Sequence, residues 1–374
     1  MGSALRNKRW FRVLTHVCRI LFALTFISSG FVKAIDPWGT ALNITNYLVI
    51  YGFEALKPYV MVFSIWLCGA ELMMGCMMLF KVRVRLISIF AVLSMIFFTT
   101  LTFLSATWIP VEDCGCFGEV VKLSPWKTFL KNLVLLPMAV CVWWRYRPDR
   151  IFAFSTLELA LTILFCSTSM GVGIYSYYHL PPLDFLPYKV GVNIAEAMEE
   201  ARTEQASADV VLVYRNRRTG KLKEFSLKDK AWHNEKRWEW VETRVSEDAD
   251  NRVEPMILEF FVSDGNGADV TDSLLSVKGK LYMLCVSRAD AVGEKCGRRL
   301  RSAIERAETE GAGVVCLTPQ ILQGETRVSF AGSNPVKCYN IDAKTMKTML
   351  RADFGLVVLT DGTITDKRNC RDIR

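Results

Sequence analysis

The chain has 374 residues, 51% of them hydrophobic and 22% charged, with 46 Lys and Arg against 38 Asp and Glu for a net charge of +8. An aromatic share of 11% excludes a disordered chain, and a mean hydropathy of +0.21 points to apolar residues gathered in long runs. The basic excess sits largely in short links between those runs, which argues against a nucleic-acid surface, and twelve scattered cysteines exclude a disulfide mini-scaffold. This is the composition of a membrane protein.

Five apolar stretches approach the ~20 residues that a helix needs to cross a bilayer. They run from Phe11 to Phe31, Tyr59 to Phe80, Leu86 to Trp108, Phe129 to Trp144 and Leu157 to Tyr177. The first lacks a small-residue cleavage site and is long for a signal peptide, so it is expected to stay as an anchor. The fourth is the shortest and contains Pro137. Basic residues fall before the first stretch (Arg6, Lys8, Arg9, Arg12), between the second and third (Lys81, Arg83, Arg85) and between the fourth and fifth (Arg145, Arg147, Arg150). The opposite links carry Asp36, Glu54, Glu112, Asp113 and Glu119. This alternation predicts a cytoplasmic N-terminus in the inner membrane and an extracytoplasmic chain after Tyr177.

Beyond the fifth stretch, LPPLDFLP (Leu180 to Pro187) reads as a stiff linker. Thr219-Gly220 between two alternating runs predicts a hairpin, and Trp238 to Val245 predicts a further strand. From Pro255 the pattern turns to α/β. PMILEFFV, KLYMLCVS, GVVCLTP and FGLVVLTDG read as strands, with helices expected at Glu294 to Glu310 and Ala343 to Arg351. The expected division is a four-helix transmembrane module over 1–150, a fifth transmembrane helix over 151–180, a linker and β-rich segment over 181–252, and an α/β domain over 253–374.

The densest chemical signal is Asp113-Cys114-Gly115-Cys116-Phe117-Gly118, on the link after the third crossing. Two thiols one glycine apart can close a small strained ring, and strain raises the reduction potential. Gly115 supplies the backbone freedom that such a ring needs. The residues leave open a labile redox pair, a structural cross-link or two free thiols. Asp113 and Glu119 disfavour a resting thiolate.

A carboxylate at Glu71, inside the second stretch, must face the bundle interior with a partner or take up a proton. It is either a proton relay or half of a buried polar pair with Lys131 or Asn132. Lys33 and Asp36, at the end of the first crossing, are either an ion pair at the interface or part of a ligand site. Of the cysteines, five lie in crossings as packing residues, Cys285 and Cys316 fall in expected strands, and Cys296 falls in a helix without a partner. DGNGADVTDSLL (Asp264 to Leu275) starts like a calcium loop, but Ala268 and Leu275 stand where oxygen ligands are required. It is read as a turn entering a helix. His16, His179 and His233 lie too far apart in the expected topology for a metal site.

ISSGFVKAIDPWG (Ile27 to Gly39), Glu71 and the DCGCFG loop together resemble the DoxX superfamily, and within it the MauE branch, over roughly residues 10 to 145. The resemblance implies a four-helix membrane module tied to thiol–disulfide or quinone-linked chemistry, as in maturation of a disulfide-rich periplasmic enzyme. The region around Tyr339 to Ile364 resembles a thioredoxin-like fold, which implies an extracytoplasmic domain of that class. It departs from that fold's pattern by lacking CxxC after KLYMLCVSR and by carrying Phe354 where a cis-proline is usual. The domain therefore reads as a binding descendant.

Two functions follow from these readings. The first is a membrane thiol–disulfide oxidoreductase with Cys114 and Cys116 as the redox pair, Glu71 as proton relay, a quinone as acceptor and Trp108 stacking against its ring. The second is a non-enzymatic scaffold whose membrane module anchors an outer recognition domain. Membrane lipid and an extracytoplasmic protein thiol are the expected partners. Neither nucleic acid nor metal is expected.

Overall fold

The computed structural model describes residues 8–108, 124–147, 155–226, 237–245 and 256–374. The chain divides into two compact units, Met1–Leu186 and Pro187–Arg374.

The first unit is helical. Helix α1 covers Arg9–Ile35 and α2 covers Pro37–Ile50, divided only by Asp36, whose carboxylate accepts a bond from the Gly39 amide at 3.2 Å. An acceptor at the N-cap followed by proline in the first turn is a strong helix start, and it turns the chain sharply at this point. Asp36 thus caps α2. A 3-10 turn over Glu54–Tyr59 leads into α3 (Val60–Leu79), followed by α4 (Val84–Thr107), α5 (Pro125–Tyr146) and α6 (Thr156–Tyr178). Ser155 and Glu158 cap α6 reciprocally.

Among the described residues, four segments are long and apolar enough to cross a membrane: α1, the 3-10 turn joined with α3, α4 and α6. Helix α5 has 22 residues, but Lys127, Lys131 and Arg145 dilute its apolar character. Phe22, Ala23, Met78, Ala91, Ala139 and Val142 are fully buried and join α1, α3, α4 and α5 in one core. Val62, Trp66, Leu93, Phe97 and Val134 stay exposed, as suits side chains solvated by lipid rather than water. Helix α6 buries mainly the small residues Ser169, Gly173 and Ser176. A Cβ at Gly173 would lie 3.2 Å from Ile65, so the helices approach closely there.

The second unit is α/β. Its elements are α7 (Ile194–Asp209), β1 (Val210–Asn216), β2 (Leu222–Ser226), β3 (Trp238–Val245), β4 (Val262–Ser263), α8 (Thr271–Leu275), β5 (Lys280–Val286), α9 (Glu294–Thr309), β6 (Gly313–Thr318), β7 (Arg327–Val328), β8 (Val336–Ile341), α10 (Ala343–Leu350), β9 (Phe354–Thr360) and β10 (Thr363–Asn369). The larger sheet runs β10-β9-β5-β6-β8-β4, with β7 paired to β8. Strands β5, β6 and β8 are mutually parallel, whereas β9 is antiparallel to both β5 and β10. Leu300, Ala303, Ile304 and Ala307 recur at helical spacing on α9 and pack against Leu284, Val286 and Cys316. The smaller sheet, β2-β1-β3, is the expected hairpin plus Trp238–Val245, with Leu212, Phe225 and Trp238 at its centre.

Several expectations change. PMILEFFV is not a strand: Met256–Glu259 form a 3-10 turn, and only Val262–Ser263 pair with β8. The Thr271 hydroxyl accepts the Val262 amide at 2.9 Å, which holds that short strand in place. Strands β8 and β10 and helix α7 were not expected, because their polar side chains mask the periodicity. In α7 the inward positions include Ile194 and Met198 on an otherwise acidic helix. The α/β unit also starts well before residue 253. Tyr188 is fully buried, its carbonyl accepts from Lys367 Nζ at 2.9 Å, and the Ile194 amide donates to Gly362 O at 3.1 Å. The Asp264 turn is as expected, its carboxylate accepting the Asn266 and Ala268 amides at 2.9 Å each.

Cys296 is not without a partner. It forms a disulfide with Cys370, Cα–Cα 5.7 Å, across 74 residues of sequence. The turn after β10 brings Cys370 beneath the first turn of α9, where the Cys370 amide donates to Phe354 O at 2.9 Å and its carbonyl accepts from Arg299 at 3.3 Å. Closing a loop of this size stabilises a fold by about 4 kcal/mol in the chain-entropy account. Cys296→Ser, Cys370→Ser and the double variant should therefore lose similar stability, read as earlier urea-dependent proteolysis of the full-length chain. A wild-type midpoint in the double variant would contradict this.

Candidate functional site

The site is built on the crossing of α1 and α3. Two glycines let these backbones touch: a Cβ at Gly30 would lie 2.4 Å from the Leu72 amide nitrogen, and one at Gly75 would lie 2.7 Å from that of Ile27. Small residues at such crossings replace the hydrophobic drive that lipid cannot supply. The approach brings Lys33 on α1 onto Glu71 on α3, with Lys33 Nζ 2.9 Å from each carboxylate oxygen and Ser29 Oγ donating to Oε2 at 3.1 Å. The side chains of Lys33 and Glu71 are only 7% and 9% exposed.

The expected partners of Glu71 were Lys131 or Asn132, and the structure corrects that. Asn132 Nδ2 instead donates to Thr102 Oγ1 at 3.4 Å, joining α5 to α4. A lysine one turn from the end of an apolar helix reads as an interface residue, and the sequence alone does not tell which carboxylate it will meet. The Gly30 and Gly75 pair was the available signal, since both lie on the faces that carry Lys33 and Glu71.

The ion pair opens onto a cavity of about 360 Å³ within the first unit. Helix α2 forms one wall with Thr40, Asn43 and Tyr47, and Tyr51 follows at its end. Phe97, Phe98 and Thr102 come from α4, and Lys131 and Asn132 from α5. A second cavity of about 310 Å³ lies beside it, walled by Met73, Met74 and Met77 of α3 and by Leu86 and Phe90 of α4. The two share Phe26, Leu67, Glu71 and Phe98. Glu71 therefore borders both. Such volumes lie within the usual ~300–1,000 Å³ of small-molecule sites. None of the α2 residues was singled out from the sequence, because α2 itself was not.

Arg19, one of the few buried cations, lies further toward the N-terminus of α1. Its Nη1 donates to the carbonyls of Met78 and Leu79, the latter at 2.6 Å, at the C-terminal end of α3. A guanidinium there meets carbonyls that have no intrahelical partner and the negative end of the helix dipole.

Cys114 and Cys116 lie outside the described residues. Trp108 follows α4, is 78% exposed and lines neither cavity; the aromatic wall comes from Phe26, Tyr47, Phe97 and Phe98 instead. In the second unit Cys285 is fully buried, and burial pushes its thiol up to about 12. Cys316 and Cys338 face each other across β6 and β8, and their contact together with burial pushes the Cys316 thiol well up. At the end of β5, Ser287 donates to Asp353 at 3.4 Å, and Lys347 Nζ lies 2.5 Å from the same oxygen. Burial lowers the Lys347 pKa, against the opposing pull of Asp353.

Helices of membrane-crossing length around a buried ion pair, joined to a separate α/β unit, define a multi-pass membrane protein with a soluble domain. Residues 11–145 match the family model described as methylamine utilisation protein MauE. Protein TlpB of Flavobacterium psychrophilum is 30% identical over 135 residues, which is 34% of this chain and 35% of that protein. The similarity thus spans about a third of either chain. No solved structure matches. Over residues 11–145 the chain is thus similar to the MauE family.

Removing one partner of a buried pair leaves an uncompensated charge and costs about 3–5 kcal/mol, whereas replacing both by apolar residues is often neutral. Lys33→Met and Glu71→Leu should each lower the unfolding temperature in detergent, and the double variant should recover most of the loss. Equal, additive losses would mean that the two side chains do not act as a pair. Gly30→Val, which places a branched side chain against the α3 backbone, should abolish accumulation in the membrane.

Proposed function

We propose that the protein catalyses thiol–disulfide exchange during maturation of extracytoplasmic proteins, with Cys114 and Cys116 as the exchanging pair. In that reaction a client dithiol gives two electrons and two protons to the Cys114–Cys116 disulfide, leaving the client oxidised and the pair reduced. A membrane quinone supplies the acceptor that takes these two electrons onward. Glu71 is the proton relay in this reading, with Lys33 as its partner. The observation that carries the reading is the membrane-buried Lys33–Glu71 pair opening onto a cavity in a MauE-type module. A carboxylate placed there at such desolvation cost is a functional group by default.

The basic links at Lys81, Arg83 and Arg85 and at Arg145 and Arg147 support an inner-membrane protein with a cytoplasmic N-terminus. The Cys296–Cys370 disulfide supports an oxidising compartment for the second unit. Its strand order β10-β9-β5-β6, with β5 and β6 parallel, supports a thioredoxin-like build. That unit carries Ser287 and Asp353 at the end of β5 where such folds exchange thiols, which favours client recognition there over catalysis. The same observation favours a second reading, a scaffold in which the membrane unit only anchors the recognition domain.

Cys114→Ser and Cys116→Ser should each abolish client oxidation in cells without changing membrane abundance, and either should accumulate a reductant-sensitive mixed disulfide with its client. Full function in the double serine variant would leave the scaffold reading. A reporter that lights up only in the cytoplasm should stay dark when fused after Arg374. A bright fusion would place Cys114 and Cys116 on the wrong side for this chemistry.

A further inference from the structure

The cavity beside the ion pair has two polar groups in its lining whose hydrogen bonds are unmade. Asn43 Nδ2 and the Tyr51 hydroxyl are both buried and, among the described residues, have no hydrogen-bond partner. Both belong to the wall of the 360 Å³ cavity. Lys33 adds an ammonium with three protons, of which Glu71 takes its share, and Lys131 adds a second cation on the same wall. The Glu71 carboxylate, the strongest acceptor in the lining, is already engaged by Lys33 and Ser29. An unmade bond at a buried donor costs about 1–3 kcal/mol, so two such donors on one wall mark the place of an absent acceptor. A molecule with acceptor oxygens would satisfy both groups.

The remainder of the wall fixes its shape. Phe26, Tyr47, Phe97 and Phe98 offer aromatic surface to a flat ring. The neighbouring cavity, reached past Phe26, Leu67, Glu71 and Phe98, is floored by Met73, Met74 and Met77. Methionine side chains adapt to a flexible apolar chain. A planar head with carbonyl oxygens and an apolar tail is the description of a lipid quinone. A fatty-acid carboxylate also brings acceptors and could meet Lys131 or Arg83, but it has no ring for the aromatic wall, so the competition with oleate below decides between the two.

We infer that the two cavities form a lipid-quinone site, with Asn43 and Tyr51 hydrogen-bonding the ring carbonyls, Lys33 and Glu71 at the ring edge and the tail lying over Met73, Met74 and Met77. This rests on the acceptor class proposed above and gives it a location. It also gives α2 its purpose, because the helix between Asp36 and Tyr51 supplies both donors.

The test uses the full-length chain in detergent with a photoreactive azido-quinone, its adducts mapped by peptide mass spectrometry, and decylubiquinone as competitor. Adducts should fall on Pro37–Ile50 and its flank to Phe53, and on α4 near Phe97. They should be displaced by decylubiquinone and not by oleate. The near-isosteric pair Asn43→Leu with Tyr51→Phe should weaken decylubiquinone binding roughly tenfold, for two lost bonds. Adducts elsewhere, displacement by oleate alone, or unchanged affinity in a folded double variant would overturn the site. Should that variant fail to fold, the wild-type adduct map decides. The Cys114→Ser/Cys116→Ser protein should bind decylubiquinone as wild type does. Binding retained alongside full function of that protein would remove the exchange reading and keep the site. Binding lost alongside an inactive serine variant would do the reverse.

Discussion

Everything in the membrane unit hangs on how closely α1 and α3 can approach. With any side chain larger than hydrogen at Gly30 or Gly75 the backbones would stand off, since the Cβ would enter the other helix's main chain. At that wider spacing Lys33 and Glu71 could not hold both Nζ–oxygen distances at 2.9 Å, and two buried charges would lose the partner that makes their burial tolerable. Packing and electrostatics are therefore one constraint here. The close crossing is what permits a carboxylate to sit beside a cavity inside an apolar bundle.

The second unit solves a different problem. It meets water, so its sheet and α9 are held by hydrophobic burial around Leu284, Leu300 and Ile304, with one cross-link tying α9 to the chain end. Its remaining thiols at Cys285, Cys316 and Cys338 are enclosed in the strands, where burial pushes Cys285 up and the Cys316–Cys338 contact raises Cys316 while lowering Cys338. The sulfurs of the second unit are thus withdrawn from solvent, while in sequence Cys114 and Cys116 lie between α4 and α5.

The sequence made the long apolar helices legible because length and hydropathy act residue by residue, and Glu71 stood out because a lone acid in an apolar run has no local explanation. Its partner was not legible, since Lys33 is 38 positions away and pairing depends on a glycine-permitted crossing. Helix α2 escaped notice because Asn43, Tyr47 and Tyr51 interrupt its apolar pattern, and those same residues are what it contributes to the cavity. In the soluble unit, β5, β6 and β9 were plain from their apolar runs. The edge strand β10, TITDKRN, has the polar character that discourages edge-to-edge pairing and so hides from a hydrophobic pattern. Cys296 was misjudged for a related reason: its partner Cys370 follows that same concealed strand.

Arg19 carries one more implication. It grips the carbonyl end of α3 while Lys33, nearly four turns further along α1, grips Glu71. Sliding one helix along the other by a single turn, about 5.4 Å, would tear both grips at once. The α1–α3 pair is therefore a fixed spine with no second notch to move into. Any opening of the cavities would therefore fall to the elements around that spine: α2 beyond Asp36, α4 and α5, or α6, which lines the second cavity with Thr162.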